Sequence, residues 1–204
     1  MVNIEHPHNM GGGTLFPIDG IETICDRAHE RGLKVHMDGA RLYNAVAASG
    51  LSAARIVAKV DTVMFCLSKG LGAPVGSMLA GDAPTMAAAR LYRKRLGGGM
   101  RQAGILAAAG LVALEHPEML AQDHANARLI AERIGMDPGK IQTNIVIFDI
   151  AKTSLAPADF LARLKEQGVL AGSIGGTRIR LVTHLDVSRE DCVKAGEAIA
   201  ALMA

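Results

Sequence analysis

The chain has 204 residues, half of them hydrophobic, which is enough to bury a substantial core as one domain or two small ones. Its formal charge is only +2, no run of five like charges occurs and Trp is absent, which argues against a nucleic-acid groove, a base-stacking surface or a polybasic membrane patch. Cys25, Cys66 and Cys192 are isolated and lack CxxC or Cys/His spacing, no segment reaches about eighteen uninterrupted apolar residues, and the first thirty residues lack the order of a secretory signal; a cytoplasmic protein with reduced thiols and small-molecule chemistry is expected.

Met1–Glu5 reads as the tail of a strand, an odd opening because it leaves no earlier strand to pair with. His6-Pro-His-Asn-Met-Gly-Gly-Gly13 is a turn-rich loop, and its two histidines have no cysteine or acid cluster beside them, so no metal is expected there. Pro17 suits the first turn of a helix in which Ile21, Ile24, Cys25 and Ala28 recur at steps of three and four up to Gly32. A strand over Leu33–Met37 follows, and strand–helix–strand order favours parallel pairing. Asp38-Gly-Ala-Arg41 then allows two readings: a helix N-cap with an arginine one turn on, or an acid placed at a strand end to meet a ligand.

Residues 40–59 are Ala-rich and helical, with a break near Ser49-Gly50. Thr62–Leu67 is a short apolar, β-branched run that reads as a buried strand, and Gly70, Gly72, Pro74 and Gly76 end regular structure just beyond it. Lys69 stands at that junction. An ammonium partly stripped of water there would lose its charge more readily and could attack a carbonyl, as a Schiff-base lysine does; the other reading is a lysine that caps the strand and snorkels to solvent. An acid at one strand end and a lysine at the end of a later strand suit pyridoxal phosphate, whose carbonyl the lysine holds while the acid keeps the pyridine nitrogen protonated.

A short strand near Ser77–Ala80 returns the chain, and residues 83–96 read as a helix with Arg90, Arg93, Lys94 and Arg95 on a solvated face. Gly97-Gly-Gly-Met-Arg101 is a flexible link to an Ala/Leu-rich helix over 102–114, whose first amides can face an anion. A helix over 118–134 ends at Gly135, and Asp137-Pro-Gly139 marks a boundary, so the expected domains are 1–135 and 136–204. Beyond it come a strand over Ile141–Ile150, a helix over Ala156–Lys165, strands near Val169 and over Arg178–Val182, and a helix from Ser188 to about Leu202. The last strand puts Arg178 and Arg180 on one face and Ile179 and Leu181 on the other. The whole order suits an α/β protein with a mainly parallel sheet and a small C-terminal α/β domain.

Four stretches carry a family resemblance: His36-Met-Asp-Gly-Ala-Arg-Leu-Tyr-Asn-Ala45, Cys66-Leu-Ser-Lys-Gly-Leu-Gly-Ala-Pro-Val-Gly-Ser77, Gly97-Gly-Gly-Met-Arg-Gln-Ala-Gly104 and Arg180-Leu-Val-Thr-His-Leu-Asp186. In sequence and in order they closely resemble the threonine aldolases that depend on pyridoxal phosphate. The resemblance implies fold type I, with 1–135 a partial cofactor-binding large domain and 136–204 the small domain, and it covers only the later portion of a full-length aldolase. It also implies roles: Lys69 binds the cofactor covalently, Asp38 pairs with the ring nitrogen, Arg41 meets the phenolate oxygen, and Lys94 and Arg101 reach a phosphate, that of a neighbouring subunit. Arg180 would bind the substrate α-carboxylate through its fork-shaped guanidinium. His184 reads as structural, since nothing in the sequence orients it.

The activity so implied is cleavage of threonine or allo-threonine to glycine and acetaldehyde, in a homodimer or homotetramer without nucleic acid or membrane. A general base is not identifiable in these residues. The family's loop Glu-Asn-Thr-His-Asn reads Glu5-His-Pro-His-Asn9 here, and the Gly-Thr phosphate turn and ring-stacking side chain of the family have no counterpart in the chain. Two other readings stay open: a catalytically silent fragment that needs a partner to complete it, and a related pyridoxal phosphate β-eliminating lyase or amino-acid racemase.

Overall fold

A computed structural model describes residues 1–204. The chain divides into two compact units, Met1–Pro7 with Phe16–Glu118, and His8–Leu15 with Met119–Ala204. Helix Leu120–Arg133, which a division at 135/136 assigns to the first domain, gives Ala127, Ile130 and Ala131 to the core of the second unit.

The first unit carries β1 (Val2–Glu5), α1 (Ile18–His29), β2 (Val35–Asp38), α2 (Leu42–Ser49), α3 (Ala53–Ile56), β3 (Thr62–Cys66), β4 (Ser77–Gly81), α4 (Ala83–Arg95) and α5 (Gly104–Glu115). Its sheet has the order β1-β2-β3-β4, parallel across the first three strands and antiparallel at β4. Parallel strands need a crossover, and α1 supplies one between β1 and β2, burying Ile21, Cys25 and Ala28. Along β2, Val35 and Met37 point into the core while His36 and Asp38 are half-buried, the alternation that a pleated strand imposes.

Asp61 pins the amino-terminal ends of β2 and β3. Its carboxylate accepts from Lys34 Nζ at 2.7 Å and from the Val35 N–H at 2.8 Å, and lies 2.9 Å from His29 Nε2. The hydrogen bond from Lys34, then those from Val35 and His29, hold this acid well below the ordinary carboxylate range.

The second unit carries α6 (Leu120–Arg133), β5 (Ile145–Asp149), α7 (Pro157–Glu166), β6 (Gly172–Ser173), β7 (Arg178–Val182) and α8 (Arg189–Met203). Its antiparallel sheet has the order β5-β7-β6. Phe148 and Phe160 meet edge to face at 6.1 Å within a core that also holds Ile130, Val146, Ile179 and Ile199. Ser188 and Asp191 close a reciprocal capping box on α8.

Two expected strands shift. Val169 is the exit of α7 rather than a strand: Gly168 turns left-handed at φ 78 and the Val169 N–H returns to Leu164 O, so pairing begins only at Gly172. Residues 141–144 stay outside β5, after a 3-10 turn at Pro138–Lys140. Loop 8–15 closes on itself through His8 N–H to Thr14 O at 3.0 Å, and it is tied to residues just before β5. Thr143 Oγ1 donates to Gly13 O at 2.9 Å, and the Leu15 N–H donates to Gln142 Oε1 at 2.6 Å.

Candidate active site

Asp38 is the last residue of β2, and its register partner on β3 is Met64. Lys69 follows the end of β3 by three residues, so the acid and the amine stand at the carboxyl ends of adjacent parallel strands, where open α/β sheets carry their ligands. Asp38 is half-buried, and its Oδ1 accepts from the Ala40 N–H at 3.0 Å, which orients the carboxylate. The helix that follows begins at Leu42 with Arg41 in the N-cap position, so Asp38 does not cap it. Arg41 is itself half-buried at that turn.

The loop that carries Lys69 is drawn tight by backbone bonds: Leu67 N–H to Gly76 O at 2.9 Å, Ala73 N–H to Leu67 O at 3.0 Å and Gly72 N–H to Lys69 O at 2.9 Å. Leu67, Leu71 and Ala73 are buried beneath it. Lys69 itself is exposed, which agrees with the reading of a lysine that reaches solvent and not with that of an amine partly stripped of water.

Lys94, in the last turn of α4, and Arg101, in the link to α5, are both exposed. Helix α5 starts at Gly104 rather than 102, because Gln102 sits at φ 47, a left-handed conformation that a helix cannot include. Arg101 therefore lies before the helix.

In the second unit, Arg180 is half-buried at the middle of β7, beside the buried Ile179 and Leu181, as the two-residue period requires. Its Nη1 donates to Asn9 Oδ1 at 2.9 Å. The contact with Asn9 is not legible in the sequence, since the two residues are separated by 171 positions. Asp123 was also missed, although a signal existed: it lies on the helical stripe of Leu120, Ala127 and Ile130, where an acid is out of place. Asp123 is buried and its Oδ2 has no hydrogen-bond partner, so burial raises the acid to about 6, with the nearby His184 partly offsetting the shift. The neighbouring imidazole of His124 is pushed down to about 4, chiefly by burial. His184 is half-exposed, and its Nδ1 accepts from the Asp186 N–H at 3.3 Å.

Residues 1–153 match the family described as beta-eliminating lyase, three quarters of the chain and the whole of the first unit. The chain belongs to the beta-eliminating lyase family. Among relatives in that family's range, the chain is 41% identical over 199 residues to probable low-specificity L-threonine aldolase 2 of Arabidopsis thaliana, covering 94% of this chain and 56% of that one. It is 39% identical over 194 residues to the low specificity L-threonine aldolase of Escherichia coli K12, covering 93% of this chain and 56% of that one. Among solved structures, a Leishmania major threonine aldolase superposes with a TM-score of 0.78 at 19% identity, over 100% of this chain and 61% of that one, and so shares its fold. This beta-eliminating lyase homologue thus spans little more than half the length of the curated relatives it matches. No single helix in it is long and apolar enough to cross a membrane.

Proposed function

We propose that the chain carries the cofactor-holding half of a threonine aldolase, a lyase that depends on pyridoxal phosphate and splits threonine, allo-threonine and similar β-hydroxy-α-amino acids into glycine and an aldehyde. The observation that carries this reading is the pairing of Asp38 and Lys69 at the carboxyl ends of adjacent parallel strands. These residues fit the cofactor: an acid oriented by its own turn suits a protonated ring nitrogen, and an exposed amine on a tight loop is open to an aldehyde. When bound, the cofactor supplies an electron sink for the pair released at the substrate Cα.

The residues of the chain do the rest. Lys69 would hold the cofactor, Asp38 would retain a proton on the ring nitrogen, and Arg41 would meet the phenolate oxygen. Lys94 and Arg101 would reach the phosphate on a neighbouring subunit of a homodimer or homotetramer. Arg180 would take the substrate carboxylate in two parallel hydrogen bonds, which fixes the direction of the Cα–Cβ bond and so selects the bond that breaks. The bond from Arg180 to Asn9 supports that role by steadying one end of the guanidinium. A second reading, a chain silent until completed by further polypeptide, is favoured by the exposure of Lys69.

The test is chemical. The chain is incubated with pyridoxal phosphate, reduced with borohydride and digested, and the modified lysine is located by mass spectrometry. Label on Lys69 that disappears in Lys69→Ala is the expected result, and label retained in that variant would reject the assignment. Arg180→Lys should raise the glycine concentration needed to perturb the cofactor absorbance by about tenfold, since a bidentate pair becomes a point contact; unchanged affinity would remove Arg180 from the site.

A further inference from the structure

Beside β7 the sheet of the second unit stops one pair short. Strand β6 pairs Gly172 with Arg180, and the next pair in that register would join Leu170 to Val182. It does not form, because the Val169 N–H turns back to Leu164 O at the exit of α7. The Thr183 N–H donates to Asn144 O at 3.0 Å, on the β5 side, so the alternation of an antiparallel ladder turns the N–H and C=O of Val182 the other way. No backbone partner meets them there. The vacated place is a cavity of about 320 Å3 between residues 168–170 and 181–184, lined also by Ile130 of α6 and by Cys192 and Ala195 of α8.

The gap is one residue long. Gly172 bounds it on one side, and on the other the His184 carbonyl is already taken by the Val187 N–H at 3.0 Å. Its walls are aliphatic, with Ile130, Val169, Leu181 and Ala195 inside and Leu170 at the mouth, 78% exposed. Acid groups gather at its far end. Thr183 Oγ1 donates to the Asp123 backbone carbonyl at 2.6 Å, which sets Asp123 against this end of β7, and Asp123 Oδ2 is buried with no partner. Asp191, in the capping box of α8, brings a second carboxylate to the lining.

We propose that this cavity binds a single aliphatic α-amino acid, held at the free backbone edge of Val182 with its side chain among the aliphatic walls. Its carboxylate accepts from the Val182 N–H and its ammonium donates to the Val182 carbonyl, the exchange that one further residue of β6 would have made. The carboxylates of Asp123 and Asp191 supply negative charge beside the ammonium. A peptide strand is the poorer occupant, since the edge is open at one residue only. The volume, at the low end of the range for ligand sites, also suits a molecule of that size. Binding here uses neither Lys69 nor the guanidinium of Arg180.

The experiment titrates the 204-residue chain with L-leucine by calorimetry at about pH 7.5, where the Asp123 carboxylate is ionised. One-to-one binding is expected. Isocaproate, which lacks the amine, and isoamylamine, which lacks the carboxylate, should each bind at least about tenfold more weakly, since each forgoes one of the two backbone bonds. Ala195→Met fills the cavity with a good helix former and should abolish binding with the circular dichroism unchanged. Asp123→Asn, which leaves the cavity open, should weaken binding about threefold or more. Lys69→Ala should bind L-leucine as the parent does. No binding, equal affinity for L-leucine and isocaproate, undiminished binding in Ala195→Met or in Asp123→Asn, or loss of binding in Lys69→Ala would each overturn the proposal. Because Lys69→Ala removes the cofactor lysine, this test can fail while the catalytic reading stands, and the reverse.

Discussion

Replacing Asp123 by Asn removes a carboxylate that the second unit buries with no partner for Oδ2. Burial lifts this acid from its ordinary 3.8 to about 6, which corresponds to about 3 kcal/mol. The folded chain therefore keeps a proton that the unfolded chain has released, and this group costs stability progressively as pH rises from about 4 to about 6, with the full cost present above that range. Asparagine keeps the shape and stays neutral, but its amide needs partners, and one unmade hydrogen bond returns about 1 kcal/mol of the gain. Asp123→Asn is thus expected to be more stable than the parent by about 1–3 kcal/mol at pH near 7.5, with the difference shrinking toward zero or below at pH near 4. Urea unfolding followed by circular dichroism at both pH values measures it, and carboxylates with the opposite sign, such as Asp61, cancel in the comparison. A variant less stable than the parent at the higher pH, or a difference that ignores pH, would mean that the carboxylate has a partner in the folded state and would refute the reasoning.

Gly13 sits at φ 72, and a Cβ built on it would lie 1.9 Å from Thr143 Oγ1, so Gly13→Ala should cost about 2–4 kcal/mol through strain and loss of the Thr143 bond. Gly12→Ala has a similar φ of 81 but its nearest neighbour is 4.0 Å away; denaturant titrations showing equal losses in both variants would show that the bond to Thr143 contributes nothing. Asp61→Asn should cost about 1–2 kcal/mol at neutral pH, a figure kept small because Lys34 is largely exposed and screened. Because the acid is depressed in the fold, its contribution is present above the ordinary carboxylate range and is lost as pH falls below about 4; thermal melts in which the deficit stays constant down to about pH 2 would contradict the assignment.

The strand–helix–strand start was legible because three-and-four spacing in α1 and alternation in β2 are local properties, and Asp38 and Lys69 fall at strand ends that the same patterns define. Local patterns also explain the errors. Val169 has strand-like chemistry, but the left-handed Gly168 closes α7 across it, and Gln102 takes a backbone conformation that its side chain does not announce. Asn9 and Arg180 meet across 171 positions, which no spacing rule reaches. The exposure of Lys69 depends on what lies over a loop, and neighbouring residues in sequence carry no record of that. Asp123 is the instructive miss, since a polar residue on an apolar stripe is visible in the order of residues alone.

Loop 8–15 has a consequence for the order in which the chain takes shape. Its partners Gln142, Thr143 and Arg180 lie 127, 130 and 171 residues downstream. At a ribosome adding about 5–20 residues each second, the loop emerges many seconds before any of them exists. The strands and helix around it can assemble in that interval from short-range contacts, while the loop itself waits with its closing partners unmade. Closure of loop 8–15 on the C-terminal half should therefore be the later event, and substitutions at Asn9 or Gly13 should perturb that event while leaving the earlier one untouched.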